Sequence, residues 1–220
     1  GPLIKTHMTR CIHCTRCVRF ANEVAGVEDL GAIGRGENVE ISTYLEKAVT
    51  SELSGNLVDL CPVGALTSKP YQFVARPWEL TKTESVDVMD AIGSNIRIDS
   101  RDGKVLRILP KNNESINEEW LSDKSRYAID GLSKQRLDSP YVKINNKLQR
   151  VSWDKAFEVI NSKISKISYE NCVGIVGNQV ENETIFAFKE LFKQLKLNKI
   201  LPFQKEIILS TENRSNYLFN

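Results

Sequence analysis

Three cysteines stand two residues apart in Cys11-Ile12-His13-Cys14-Thr15-Arg16-Cys17, and a fourth, Cys61, is followed at once by Pro62. No other feature limits this chain so sharply. A C-x₂-C-x₂-C run with a distant Cys-Pro is the ligand pattern of ferredoxin-type 4Fe-4S sites. Two-residue spacings let a loop wrap one face of a cubane, each thiolate reaching a different iron, and the distant cysteine closes the opposite corner. Proline ends local helix and fixes the backbone as the chain leaves the site. Three other readings compete. A disulfide framework fits poorly, because three cysteines this close do not pair well among themselves, and such frameworks suit short secreted chains. Zinc usually takes paired C-x₂-C knuckles. A buried structural thiol is the plain reading, and it suits the fifth cysteine, Cys172. The candidate ligands are therefore Cys11, Cys14, Cys17 and Cys61.

The residues around the run bear on tuning rather than ligation. Four cysteines complete a cubane, so His13, between two of them, and His7 read as neighbours that adjust potential through charge or hydrogen bonds. Arg10, Arg16 and Arg19 either offset the negative charge of the site or are solvated surface residues. Backbone amides around Ile12–Arg16 are placed to donate toward sulfur.

Composition narrows the classes left. Over 220 residues the net charge is +2 with acids and bases interleaved, which leaves no basic stripe for a phosphate backbone, so nucleic acid is not an expected partner. No apolar run approaches the roughly 18–20 residues a bilayer span needs. Membrane association is expected only through other subunits.

The rest of the chain reads as an α+β protein. Val18–Val27 has apolar residues at helical spacing and ends near Gly26. Gly31–Gly36 is glycine-dense, but it lacks a preceding buried strand and a following Lys-Ser/Thr, so it reads as a turn rather than a phosphate loop. Asn38–Tyr44 alternates as a strand would. Leu57–Leu60 forms a short apolar helix that delivers Cys61. Ile96–Asp99 and Val105–Leu109 flank Asp102-Gly103, a hairpin signal. Val142–Ile144 and Leu148–Val151 flank Asn145-Asn146 in the same way. Ser152 caps a helix predicted from Trp153 to about Ile167. Cys172–Val176 reads as a buried strand and Thr184–Leu195 as a second amphipathic helix, the order of an α/β layer that is only begun. The expected domains are 1–78, 79–140 and 141–220.

Longer runs carry a resemblance. Met8–Phe20, Ser51-Glu52-Leu53-Ser54-Gly55-Asn56, Asp59–Pro70, Ala75–Glu79 and Asn117–Trp120 closely resemble the large iron–sulfur subunit of respiratory complex I. This is the family of the mitochondrial 75 kDa subunit and of its counterpart, the G subunit, in bacterial NADH–quinone oxidoreductases. The resemblance covers about the first 140 residues strongly, and beyond them a molybdopterin-oxidoreductase-like region more loosely. It implies a ferredoxin-like 4Fe-4S unit, a β-rich small domain of molybdopterin-oxidoreductase type, and the start of an α/β domain. In that family Gly1–Lys5 matches the sequence just before the cluster motif. The chain is therefore expected to be a fragment or one piece of a split gene, with a 2Fe-2S cluster and a second 4Fe-4S cluster on the part upstream. Relatives that hold a cluster in the small domain use cysteines where this chain places Asp87, Asp90, Ser94 and Ser122. Aspartate and serine are poor cubane ligands beside thiolate, so that domain is expected to be bare.

What the resemblance implies is relay: single electrons passing through a 4Fe-4S cluster from NADH and flavin toward quinone, with no acid–base or nucleophilic machinery in this chain. Expected partners are other peripheral-arm subunits, including the flavin/NADH-binding subunit and the quinone-side iron–sulfur subunits. The expected location is the matrix side of the mitochondrial inner membrane or the cytoplasmic side of a bacterial one. The rivals are an iron–sulfur module of a hydrogenase or formate dehydrogenase, and a clusterless assembly scaffold. The Ser51–Asn56 run and the missing second-domain cysteines favour complex I.

Overall fold

Residues 1–43, 47–167, 172–177, 180–197 and 199–203 are described by the computed structural model, and most of their elements are short. The chain opens with β1 (Ile4–Thr6), α1 (Arg16–Arg19), β2 (Gly31–Ile33), β3 (Glu40–Ser42), α2 (Asn56–Leu60) and β4 (Leu66–Ser68). No helix of four or five residues is stable alone. These elements are held instead by two antiparallel pairs, β1 with β4 and β2 with β3, and by one core. That core is Phe20, Ala25, Val49, Leu53 and Leu57, with Ile4, Cys17, Leu60, Leu66 and Trp120 packed against it. Phe20 and Trp120 rings meet at 4.8 Å, tilted by 53°.

Two local features differ from the sequence reading. The helix after the cysteine run widens into a π-helical turn at Phe20–Ala25 and stops at Gly26, whose φ is +69°. Gly31–Ile33, read as a turn, is strand β2; the turn begins only at Gly34, where φ is +91°. Ala32 pairs with Ile41, and a partner strand outweighs the low β-propensity of glycine and alanine. The predicted strand Asn38–Tyr44 is observed as Glu40–Ser42, and Tyr44 lies outside the described residues.

A three-stranded antiparallel sheet follows, made of β5 (Thr81–Val86), β6 (Asn95–Arg101) and β7 (Lys104–Pro110), and then the short helix α3 (Asp123–Tyr127). The β6–β7 hairpin turns at Asp102 and Gly103, both at positive φ, as an Asp-Gly turn of type I′ requires. Asp99 is fully buried in β6 and takes Arg97 at 2.9 Å and Arg107 at 2.6 Å. Arg107 also lies 4.6 Å over the Tyr71 ring, which ties this sheet to the first seventy-odd residues. All of these elements belong to one compact unit built on Gly1–Lys134.

A second compact unit lies within Gln135–Ile208. It contains the hairpin β8 (Tyr141–Ile144) and β9 (Lys147–Arg150), α4 (Trp153–Ile164), β10 (Gly174–Val176), α5 (Asn182–Gln194) and β11 (Ile200–Pro202). Asn145 and Asn146 turn the hairpin at positive φ, and the Ser152 side chain accepts from the Lys155 amide to cap α4. β10 and β11 run parallel, so the α/β order is as expected. Gly174 lets Phe188 and Phe192 close on β10: a Cβ there would stand 2.6 Å from the Phe192 ring. The apolar faces of both helices stay largely open, with Phe157, Ile160 and Phe186 exposed. No helix among the described residues is long and apolar enough to cross a membrane.

Candidate cluster site

The four cysteines of the motif come from two separate segments, and all four line one cavity of about 290 Å³. The loop that carries Cys11 and Cys14 curls because His13 and Thr15 take left-handed backbone, φ +54° and +59°. That conformation is uncommon for residues with a Cβ, and here it gives the loop a tight wrap. Cys17 sits in α1 and packs on the core. Cys61 caps the C-terminal end of α2 in extended conformation, φ −78° and ψ 107°. The chain then turns back at Gly64, φ +65°, toward β4.

The cavity walls are mostly apolar, with Leu30, Ile41, Leu57, Leu60 and Leu66 among them. Backbone amides reach sulfur: His13 N–H donates to Cys11 Sγ and Leu66 N–H to Cys61 Sγ, each at 3.4 Å, and the Val18 and Cys17 amides bond to the Cys17 sulfur. Burial pushes the Cys17 thiol up, since an apolar wall disfavours thiolate. Among the described residues no group of three or more His, Cys, Asp or Glu converges closely enough to hold a metal ion. Four thiols, three on a C-x₂-C-x₂-C run and one before a proline, are the donor set that a ferredoxin-type 4Fe-4S core takes.

The flanking residues take different places. His13 and Cys14 are exposed, and Ile12 beside them is 60% exposed. His7 Nε2 lies 2.9 Å from Gln72 Nε2. Arg10, Arg16 and Arg19 do not share one setting: Arg19 pairs with Glu23 at 3.5 Å across exposed side chains, while Arg16 lines the cavity. Cys172 is half-buried in the other unit.

The four polar residues read at the small domain's ligand places are also brought together, but with no thiol. Asp87, Ser94 and Ser122 are buried. Ser125 Oγ donates to Asp87 Oδ2, and Ser122 Oγ to Ser125 Oγ at 3.0 Å. Ser94 Oγ donates to Asp90 Oδ2, while the Gly93 and Ser94 amides donate to Asp90 Oδ1 at 2.7 and 3.1 Å. The Asp87 N–H donates to the Ser94 carbonyl at 2.8 Å, joining the two halves. These side chains are bonded to one another. Ser125 does not stand out in the sequence; its signal is the Ser-x-x-Ser spacing at a helix start, where Ser122 caps α3 through the Ser125 amide.

Comparison with known proteins places the chain. Residues 1–67 match the family model "NADH-quinone oxidoreductase subunit 3, ferredoxin-like domain". Residues 80–130 match "NADH-ubiquinone oxidoreductase NDSU1/NuoG-like, 4Fe-4S domain", and residues 136–220 match "Molybdopterin oxidoreductase". The fold class is thus ferredoxin-like units followed by a molybdopterin-oxidoreductase domain, with helix and strand mixed. The whole chain is 55% identical to the NADH-ubiquinone oxidoreductase 75 kDa subunit of Reclinomonas americana, of which it covers 34%. It is 55% identical to the NADH-quinone oxidoreductase G subunit of Rickettsia prowazekii and covers 33% of it. It is 53% identical to the mitochondrial NADH dehydrogenase [ubiquinone] iron-sulfur protein 1 of Solanum tuberosum and covers 30% of it. The chain therefore spans about a third of the length of these relatives.

Proposed function

Because the chain belongs to the family of the NADH-quinone oxidoreductase G subunit and the mitochondrial 75 kDa subunit, we propose that it is an electron-relay segment of such a complex, with Cys11, Cys14, Cys17 and Cys61 as the ligands of one 4Fe-4S cluster. The observation that carries this reading is the shared cavity: cysteines far apart in sequence line one mostly apolar void. When bound, the iron–sulfur core supplies the one-electron change. The chain's own residues hold it and shape its surroundings. Cys11 and Cys14 bind from a loop, Cys17 from a helix and Cys61 from a helix end, so three elements supply the four thiolates. Leu30, Leu57, Leu60 and Leu66 exclude water on the inner side, and the His13 and Leu66 amides stabilise charge on sulfur. The exposed Ile12–Cys14 edge is where electrons enter or leave.

The division of labour follows. Residues 1–78 bind the cluster, 79–140 form a small domain that lacks cysteine ligands, and 141–220 form a molybdopterin-oxidoreductase-like α/β segment. In the assembled enzyme the electrons come from NADH by way of flavin and go toward quinone. The partners are the flavin/NADH-binding subunit and the quinone-side iron–sulfur subunits of the peripheral arm. The location is the matrix face of a mitochondrial inner membrane or the cytoplasmic face of a bacterial one. A reductive titration followed by EPR tests the relay: one electron per chain and a single 4Fe-4S signal, absent in Cys61→Ser, are expected. The same spectrum in Cys61→Ser would overturn the ligand assignment.

A further inference from the structure

The end of α2 is clasped by residues from the small domain that follows the cysteine motif, and the clasp runs through one buried arginine. Arg126 of α3 is 5% exposed. Its Nη2 donates to Asn56 Oδ1 at 2.9 Å and its Nη1 pairs with Asp59 Oδ2 at 2.8 Å. Asn56 and Asp59 are the first residue and the fourth of α2, and Cys61 is its cap. The guanidinium therefore bridges the start of this five-residue helix to its last turn, two residues before the sulfur.

Other bonds build on this bridge. Asn56 pairs with the Leu121 backbone in both directions: Nδ2 donates to Leu121 O at 2.9 Å and the Leu121 amide donates to Oδ1 at 3.1 Å. Asp123 accepts from the Ser54 hydroxyl and from the Gly55 amide, the latter at 2.6 Å, and its own amide donates to Glu52 O at 2.7 Å. Gly55 is required at the centre. A Cβ there would stand 2.7 Å from Asp123 Oδ1, 2.8 Å from Arg126 Cδ and 2.9 Å from Arg126 Nε. Arg126 Nε is buried without a hydrogen-bond partner among the described residues. A buried guanidinium is costly unless it is paired, and this one is paired through both Nη atoms to α2.

A helix of five residues has no stability of its own. Cys11, Cys14 and Cys17 lie on one continuous loop and helix, whereas Cys61 has only α2 and the return to β4 to fix it. We propose that Arg126, acting through Asn56 and Asp59, is the positioning residue for the fourth ligand, so that the ligand-poor small domain serves the cluster by holding Cys61 in place. This rests on the assignment of the four cysteines as ligands.

Arg126→Met and Asp59→Asn test it in the reconstituted full chain. Arg126→Met keeps the bulk and removes both bonds. Asp59→Asn, on a partly exposed side chain, removes only the charge at the last turn of α2. Iron loading, EPR g-values and the rate of iron release to a chelator are compared at matched loading, with circular dichroism as the folding control. Loss of a bond that orients a ligand costs on the order of 10–100-fold in metal affinity. Arg126→Met is expected to fold, to release iron about tenfold faster than wild type, and to show shifted g-values, with Asp59→Asn in between. Wild-type release and spectrum in a folded Arg126→Met overturn the proposal. If Arg126→Met does not fold, Asp59→Asn decides alone: faster release supports the clasp and unchanged release overturns it. A wild-type chain that takes up no iron overturns the ligand assignment together with the clasp, and this differs visibly from a loaded wild type with indifferent variants.

Discussion

The two halves of the first unit face one structural problem and answer it differently. Around Cys11–Cys17 and Cys61, short segments surround a cavity of about 290 Å³ lined by four thiols. Around Asp87, Asp90, Ser94, Ser122 and Ser125, equally short segments are cross-linked by their own hydrogen bonds. In the first case thiols from separate segments line a shared cavity. In the second, hydroxyls and carboxylates are bonded to one another. Oxygen donors are poorer ligands for a cubane than thiolates, and thiols have no strong hydrogen-bond partners to lose. The family model for residues 80–130 is described as a 4Fe-4S domain, yet no cysteine lies in that range.

That contrast breaks most sharply at Cys61. Cys61→Ser is expected to abolish cluster uptake and to lower amide-exchange protection across β1, α2 and β4, while β5–β7 keeps the wild-type level. Equal loss in both regions would mean that the small domain depends on the cluster after all. The reciprocal substitution is milder. Asp87→Ala leaves the Ser125 hydroxyl without its buried acceptor, at a cost of about 1–3 kcal/mol. A lower urea midpoint at unchanged iron content is the expected reading; a drop in iron would show that the polar network touches the cluster.

The smallest effect is one of pH. Burial raises the Asp123 carboxyl above the ordinary aspartate value, against the hydrogen bonds from Ser54 and Gly55 that lower it. The folded state thus holds its proton to higher pH than the unfolded chain does. The sign follows: this group's contribution favours folding below the unfolded value, falls as pH rises from there through the raised value, and is flat above it. Urea midpoints measured from about pH 4 upward should show this downward slope, and Asp123→Asn should flatten it. A slope that survives the substitution would place the titration elsewhere.

Much of this is readable from the sequence, and the limits have physical causes. The Asp102-Gly103 and Asn145-Asn146 turns and the Ser152 cap depend on neighbours in sequence, and each forms where local chemistry places it. Gly31–Ile33 does not, because its strand character comes from Glu40–Ser42 and no local residue announces it. The β1–β4 pairing and β5 also escape a sequence reading, the first for its long separation, the second because Thr81–Val86 is exposed throughout. In the second unit the apolar spacing of α4 and α5 is legible, but their burial is not. Ile175 of the strand read as buried is 63% exposed, with a parallel sheet of only two strands among the described residues. At the candidate site the cysteines stand out by type and spacing. Arg126, Asn56 and Asp123 are invisible because each gains its role from a residue some seventy positions away, and a lone arginine in a helix reads as surface.

The central claim, one cluster on the quartet and none in the small domain, is tested most directly by counting. Iron and acid-labile sulfide are measured per chain after anaerobic reconstitution and desalting, with zinc measured in parallel. The account predicts about four irons and four sulfides per chain, with zinc negligible. About eight of each would place a second cluster where Asp87, Asp90, Ser94 and Ser122 now stand, and zinc without sulfide would contradict the quartet itself.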